Sequence, residues 1–342
     1  MTQRSFIVAA TVAFATLVAL TGCAPAQSSP EATGPQVVDN VAYAPADPKG
    51  SEGHLLDIYL PTPRERPFPL IIWSGGTAWL SDQGRATAST LAGMFNPHGY
   101  AVAGVSIRSS DQAQFPAQLS DIKGAIRFLR ANAARYHLDP KRFGIAGDSS
   151  GGWAAAMAAV TGDVATLEGD VGVSGASSKV QAAAAFYPPT DFLQLDPYLP
   201  GNCDSSGANP DASFCAADRD SAVSLLLGCP IESCPGRVAA ANPIRFVDRD
   251  DPPLLLLHGL QDVDIPWQQS KLLFDAVHSV SGRADFVTVP RGQHGQAYWF
   301  LTEPTVRSGA QVQSTADGTL DGPHDVDLNP DYLIAFFDRY LD

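Results

Sequence analysis

The stretch R-F-G-I-A-G-D-S-S-G-G-W, residues 142–153, decides the fold of this chain. It opens with a short apolar run at 142–146 that is typical of a buried strand, and it ends where an apolar helical pattern begins. Between the two lies Ser149 in a G-x-S-x-G pattern, which on a sharp strand-to-helix turn lifts the serine hydroxyl above a sheet. The segment predicts an α/β architecture with Ser149 at the carboxyl end of a strand.

The glycines of this turn have a steric reason. Gly147 and Gly151 stand two residues before and after Ser149, where side chains would collide across so tight a turn. The helix that follows points its positive N-terminus at the serine and favours a developing negative charge there. Ser149 is therefore the candidate nucleophile. The pattern alone is a weak signal in 342 residues, so the flanking elements and partner residues must carry the prediction.

Strand and helix patterns alternate on both sides of the turn. The run L-L-L-L at 254–257 is typical of a strand that is covered on both faces. Amphipathic patterns predict helices, among them 119–136, 268–280 and 331–341. Together they predict a mostly parallel central sheet with helices on both faces. The predicted strands are 54–60, 70–73, 100–107, 142–146, 182–187, 253–258 and 285–289.

Residues 192–242 interrupt the alternation and predict a cap-like insertion, and the polar stretch 302–328 predicts a second, surface excursion. The insertion holds four of the five cysteines. In an exported protein these predict two disulfides, and local loops favour Cys203 with Cys215 and Cys229 with Cys234, although three connectivities are open. A zinc site is disfavoured, because the spacings are not C-x-x-C pairs and no histidine lies in the stretch.

The N-terminus predicts a targeting segment. Arg4 precedes an uncharged apolar run at 6–20, as in a signal peptide. The following L-T-G-C resembles the bacterial lipobox, in which the cysteine is acylated and becomes the new N-terminus. We expect a lipoprotein signal peptide at 1–22, a lipid anchor on Cys23 at the extracytoplasmic face, a flexible tether at 23–40 and a catalytic domain at 41–342. An ordinary signal peptide, which would give a secreted protein, is the alternative.

Composition restricts the classes of partner. The chain is 45% hydrophobic and 17% charged, which suffices for a large core. Its formal net charge of −14 argues against nucleic-acid binding, because phosphate contacts require clustered lysine and arginine. The same charge disfavours strongly anionic substrates.

A serine nucleophile needs a base, and the base needs a carboxylate that fixes its tautomer. Among the histidines that follow Ser149, His294 lies in a glycine-flanked loop after the predicted strand 285–289. His324, in the polar excursion, is the fallback. His258, at a strand end, and His278, within a predicted helix, are interpreted as structural.

The loop after strand 253–258 offers two acids, Asp262 and Asp264. Both follow the carboxyl end of a strand, where functional groups gather in open α/β sheets. Spacing alone does not decide between them.

Several segments together resemble a known superfamily. They are G-D-S-S-G-G at 147–152, L-D-I-Y-L-P at 56–61, Y-P-P-T-D at 187–191 and H-G-L-Q-D-V-D-I-P at 258–266. The chain resembles the α/β-hydrolase superfamily, and within it bacterial esterases similar to feruloyl and acetyl-xylan esterases and to the hormone-sensitive-lipase group. The resemblance covers nearly all of 50–342 and implies that Asp262 is the acid, with Asp264 as second choice.

One segment departs from the family pattern. Where relatives carry H-G-G-G-W or H-G-G-A-W, this chain reads G-G-T-A-W at 75–79. The resemblance implies that the backbone N–H groups of Gly76, Thr77 and Ser150 form the oxyanion hole, which the lost histidine side chain does not remove. Trp79 and Trp153 either line a substrate pocket or pack in the core.

The resemblance implies a carboxylesterase that forms an acyl-enzyme on small-molecule or polysaccharide-linked esters and needs no metal or organic cofactor. Its contact with the membrane is expected through the lipid anchor only. An amide or peptide hydrolase similar to prolyl-peptidase-like or arylformamidase-like relatives is the alternative within enzymes. A non-catalytic binding protein is the alternative outside them, and such homologues usually lack a complete triad.

Overall fold

The computed structural model describes residues 36–62, 66–162, 164–199, 203, 215–295 and 297–341. The expected signal peptide and the expected lipidation site at Cys23 lie outside the described residues. The described residues belong to one compact unit.

One sheet of ten strands organises the fold, in the order β1-β2-β4-β3-β5-β6-β7-β8-β9-β10. Strands β3 to β8 are parallel to one another, and β2 is antiparallel to β4. The strands are β1 Gln36–Ala42, β2 Leu55–Leu60, β3 Phe68–Ser74, β4 Ala101–Val105, β5 Leu138–Asp148, β6 Ala182–Phe186, β7 Leu254–Gly259, β8 Ala284–Val289, β9 Gln311–Ala316 and β10 Thr319–Asp325. The predicted mostly parallel sheet is confirmed.

Helices cover both faces of the sheet, as predicted. Successive side chains of a strand point to opposite faces, so β7 sends Leu254 and Leu256 into one core and Leu255 and Leu257 into the other. This double coverage explains the unbroken apolar run of β7. The helices are α1 Ala88–Phe95, α2 Ala117–Ala131, α3 Ser150–Val160, α4 Ala222–Leu227, α5 Pro235–Ala241, α6 Gln268–Ser279, α7 Ala297–Thr302, α8 Pro304–Arg307 and α9 Pro330–Leu341.

Two sequence expectations at the sheet edges need correction. Residues 36–40, assigned to the flexible tether, belong to β1, which pairs antiparallel with β2 from Gln36 opposite Leu60. The polar excursion 302–328 contains α8 and the β9–β10 hairpin, which extends the sheet beyond β8. The edge strands β1 and β10 are mostly exposed and lack the unbroken apolar run of a strand that is buried on both faces, so the sequence did not predict them.

The insertion predicted over 192–242 carries both disulfides. Cys203 pairs with Cys215 and Cys229 with Cys234, as predicted. Short helices α4 and α5 lie in the same segment, and Val223, Leu226 and Val238 are buried against the main core. Both disulfides therefore cross-link residues of the insertion, which lies outside the strands of the sheet.

Among the described residues, every helix is too short or too polar to cross a bilayer.

Candidate active site

Ser149 lies between the end of β5 and the first residue of α3. Its backbone has φ 54° and ψ −123°, a strained conformation for a residue with a side chain. A Cβ on Gly147 would lie 2.3 Å from the carbonyl oxygen of Gly151, and a Cβ on Gly151 would lie 1.9 Å from that of Ser74. A side chain at Gly147 would therefore collide with the backbone across the turn, as predicted. A side chain at Gly151 would collide with the last residue of β3.

His294 is the base that the structure brings to Ser149. It follows β8 in a loop, and its Nε2 lies 3.0 Å from Ser149 Oγ although the two residues are 145 positions apart. Nε2 therefore lies within hydrogen-bond reach of the Ser149 hydroxyl proton.

Asp262 lies on the other side of the imidazole. Its Oδ2 is 2.8 Å from His294 Nδ1, and its carboxylate is fully buried. Its Oδ1 accepts hydrogen bonds from the backbone N–H groups of Asp264 and Ile265. Asp264 itself is exposed. The loop therefore points one of the two candidate acids at the histidine and the other at solvent.

His258 also supports the acid, a role that the sequence interpretation did not assign to it. It is fully buried at the end of β7, and its Nε2 lies 3.5 Å from Asp262 Oδ2. The same ring nitrogen lies 2.9 Å from the carbonyl oxygen of Ile265, and Nδ1 lies 2.7 Å from Ser270 Oγ. His258 thus has a structural role, as predicted. That role is to hold the loop that carries Asp262. The spacing H-x-x-x-D at 258–262 was the available signal.

The electrostatics of the pair favour an ionised acid beside a basic histidine. Burial raises the pKa of Asp262, but its contacts with His258 and His294 outweigh burial and lower this pKa to about 2. Burial lowers the pKa of His294, but the hydrogen bond with Asp262 and the charges of Asp262, Asp264 and Asp148 together outweigh burial, so this pKa is raised above 6.5. An imidazole with a raised pKa is a stronger base toward a serine hydroxyl.

The remaining histidine candidates lie elsewhere. His324 sits on the exposed β10 hairpin with its Nε2 2.8 Å from Asp321. His278, on α6, lies 2.9 Å from the hydroxyl of Thr315. The structure brings neither to Ser149.

The loop 75–79 passes directly against the nucleophile. A Cβ on Gly76 would lie 2.7 Å from the Cβ of Ser149. The Gly76 N–H donates to Asp148 Oδ1 at 2.8 Å, and the Thr77 N–H donates to Ser150 Oγ at 2.9 Å. Two of the three expected oxyanion donors therefore already have acceptors within the protein. The Ser150 N–H lies in the first turn of α3, where an α-helix supplies no intrahelical acceptor.

Trp79 and Trp153 share one aromatic cluster. Trp79 is 3% exposed and Trp153 is fully buried, with ring centroids 5.4 Å apart in an edge-to-face arrangement. Phe192 packs on Trp79, and Trp153 Nε1 donates to the carbonyl oxygen of Ala241 in α5. These contacts favour the packing alternative, in which the cluster joins the loop 75–79 to the insertion.

Comparison with known proteins shows that the chain is similar to proteins named as esterases. The family model described as BD-FAE matches residues 56–277. Esterase LipQ of Mycobacterium tuberculosis is 27% identical over 81% of this chain and 61% of its own length. Isoprenylcysteine alpha-carbonyl methylesterase ICME of Arabidopsis thaliana is 24% identical over 73% of this chain and 55% of its own. The chain thus spans less than two thirds of these curated relatives.

Two solved structures are similar at higher identity. A truncated form of a carbohydrate esterase from gut microbiota is 34% identical, with a TM-score of 0.65 over 76% of this chain and 89% of that one. A bifunctional GH43-CE protein of Bacteroides eggerthii is 30% identical, with a TM-score of 0.71 over 90% of this chain and 38% of that one.

Proposed function

The chain belongs to the BD-FAE family of α/β-hydrolase fold, and we propose that it is a serine hydrolase that cleaves carboxylic esters through an acyl-enzyme intermediate. One observation carries the proposal. Ser149 Oγ, the His294 imidazole and the Asp262 carboxylate form a continuous hydrogen-bonded line of 3.0 Å and 2.8 Å. Relatives named as esterases support the same activity.

The geometry supports a two-step acyl transfer. Ser149 Oγ attacks the ester carbonyl carbon while His294 Nε2 takes the hydroxyl proton, and Asp262 stabilises the resulting imidazolium. When the tetrahedral intermediate collapses, the bond to the alcohol breaks and His294 gives its proton to the leaving oxygen. Water then attacks the acyl-enzyme with His294 again as base, which releases the acid and restores Ser149.

The oxyanion of that intermediate needs nearby N–H donors. We assign the Ser150 N–H as the principal one, because it follows the nucleophile directly at the start of α3. Gly76 and Thr77 contribute only by sharing hydrogens that they already donate to Asp148 and Ser150 Oγ. One well-placed donor is typically worth about 3 kcal/mol of transition-state stabilisation.

We assign the substrate to uncharged esters, with a carbohydrate as the alcohol. The similarity to the carbohydrate esterase supports this assignment. The segments that follow β3, β6, β7 and β8 expose large apolar side chains, namely Leu80, Leu193, Val263 and, on α7, Trp299. Exposed apolar side chains at the carboxyl edge of the sheet suit neutral ligands, and the net charge of −14 opposes anionic ones.

Matched substrates test the reaction class. The purified wild-type enzyme is offered acetylated xylo-oligosaccharides, p-nitrophenyl acetate and p-nitroacetanilide, and product release is measured at pH 8. We expect hydrolysis of both esters with kcat/KM at least about 100-fold above that of the anilide. Faster hydrolysis of the anilide would instead assign the chain to amide hydrolases. Failure on every substrate, together with no labelling by a fluorophosphonate, would remove the enzymatic proposal.

We further propose that the protein is exported with residues 1–22 as signal peptide and is held at the extracytoplasmic face of the membrane by an acylated Cys23. The L-T-G-C segment and the disulfides of the catalytic domain support this. Expressed in a bacterium fed an alkyne-labelled fatty acid, the full chain should carry the label and sediment with membranes. Cys23→Ser should lose both properties. A labelled Cys23→Ser variant, or an unlabelled wild type, would contradict the anchor.

A further inference from the structure

A hydrogen-bonded path crosses the site beside the nucleophile, buried at Tyr187 and Ala297 and open to solvent at Gly76. The Asp148 carboxylate, at the last residue of β5, accepts from the Gly76 N–H through Oδ1 and from the Tyr187 hydroxyl through Oδ2, at 2.8 Å and 3.1 Å. The Tyr187 hydroxyl in turn accepts from the N–H of Ala297, the first residue of α7, at 2.9 Å. The path runs from the loop 75–79 to the segment that carries His294.

We infer that Asp148 and Tyr187 are a pair of positioning residues, which hold the oxyanion loop and the histidine loop in register on the two sides of Ser149. This inference rests on the proposed esterase function. It assigns a task to two residues that take no part in the acyl transfer itself.

Tyr187 is placed to control His294 in two ways. It follows β6 directly and is fully buried. Its ring centroid lies 4.7 Å from that of the His294 imidazole, so the Tyr187 ring packs against the base. Its hydroxyl satisfies a buried N–H at the start of α7, only three residues after His294. An N–H in the first turn of a helix has no intrahelical acceptor, so this hydroxyl fixes where α7 begins.

Asp148 performs the matching task for the oxyanion loop. The loop contains two residues with positive φ, Ala78 at 51° and Trp79 at 56°, which cost conformational energy. A strained loop keeps its shape only when surrounding contacts enforce it. The hydrogen bonds from Gly76 to Asp148 and from Thr77 to Ser150 Oγ are such contacts. Position 75 is glycine and has no side chain that could hold the loop, which places more of this task on Asp148.

Charge gives Asp148 a second effect on the base. Three carboxylates raise the pKa of His294, in contact at Asp262 and through space at Asp264 and Asp148. Burial raises the pKa of Asp148, whereas the Gly76 N–H, the Tyr187 hydroxyl and the His294 charge act in the opposite direction. Tyr187 and Tyr298 are the other titratable groups near this carboxylate, and the pKa of each is raised, so both stay neutral.

The sign of the pH effect follows from this arrangement. Neutral imidazole is the active base, so kcat/KM falls as pH drops through the pKa of His294. For the wild type we expect that midpoint above the ordinary 6.5. Removing the Asp148 charge withdraws one of the three carboxylates, so the midpoint of Asp148→Asn should move to lower pH. Tyr187→Phe keeps the charge, and its midpoint should stay within about 0.2 pH units of the wild type.

The experiment compares kcat, KM and the pH profile of p-nitrophenyl acetate hydrolysis in three variants. Asp148→Asn and Tyr187→Phe preserve shape and should each lower kcat about 10- to 100-fold with KM changed less than about threefold, because misplacement of catalytic groups by about 1 Å has effects of this size. Tyr340→Phe, on the remote helix α9, is the matched control and should retain wild-type kcat. Circular dichroism and thermal unfolding verify folding.

Amide hydrogen exchange of the wild type keeps the inference testable even if a variant fails to fold. The N–H groups of Gly76 and Ala297 should exchange far more slowly than amides of open loops. Wild-type kcat in both folded variants, or exchange of these two amides at loop rates, would overturn the inference. The proposed function fails differently, through an inactive wild type or an active Ser149→Ala variant.

Discussion

Replacing Ser149 with alanine is expected to lower kcat for ester hydrolysis by at least about 10⁴-fold, because it removes the atom that attacks the carbonyl carbon. The residual rate would come from the Ser150 N–H and substrate binding, which survive the change. Labelling by a fluorophosphonate, which reacts with an activated serine, should disappear with the activity. The measurement is hydrolysis of p-nitrophenyl acetate at pH 8.

A control on stability accompanies this variant. Ser149 has a strained backbone at φ 54°, which alanine must adopt as well, so the fold should be retained with at most a small change in melting temperature. Ser279→Ala, at the exposed end of α6, is the matched serine variant and should keep full activity and full labelling. A folded Ser149→Ala enzyme with more than one tenth of wild-type kcat would refute the assignment of the nucleophile.

Replacing Asp262 with asparagine is expected to lower kcat by about 10⁴-fold, whereas Asp264→Asn should stay within about threefold of the wild type. Only the first change removes the buried carboxylate 2.8 Å from His294 Nδ1 and leaves an amide that stabilises the wrong tautomer. Asp264 is exposed and contributes its backbone N–H to the loop, which asparagine retains. The two variants thus form a matched pair.

The pH dependence separates these two aspartates further. The pKa of Asp262 is lowered to about 2, so this carboxylate stays ionised throughout the range in which His294 titrates. In Asp264→Asn only a distant charge is lost, and the acid limb should move slightly to lower pH. Equal losses of kcat in the two variants would show that the loop, rather than one carboxylate, supports the base.

Local sequence patterns predicted the nucleophile and most of the sheet. The turn 147–152 is specified by contacts within a few residues, since a Cβ at Gly147 meets the backbone of Gly151. The apolar runs of the parallel strands follow from burial on both faces, which needs no knowledge of the neighbouring strand. Edge strands β1 and β10 were missed because they are mostly exposed and lack such runs.

Local sequence patterns could not predict the hydrogen-bond partners of the polar groups in the site. Gly76 and Thr77 were expected to offer free N–H groups, yet their acceptors, Asp148 and Ser150 Oγ, lie 72 and 73 positions along the chain. Whether a hydrogen bond forms depends on differences of a few tenths of an ångström in the donor–acceptor distance and on the direction of the donor. Spacing along a sequence fixes neither.

The sequence by itself determined that Ser149 stands on a strand-to-helix turn of a parallel α/β sheet, because short-range sterics and hydrophobic periodicity are properties of consecutive residues. Spacing alone left Asp262 and Asp264 open and the family resemblance favoured Asp262; the tertiary structure places Asp262 against His294 and shows that His258 supports the acid loop. It alone brought Asp148 and Tyr187 between two loops of the site. These choices depend on where loops from separate strands converge, and that convergence is set by the packing of the whole sheet.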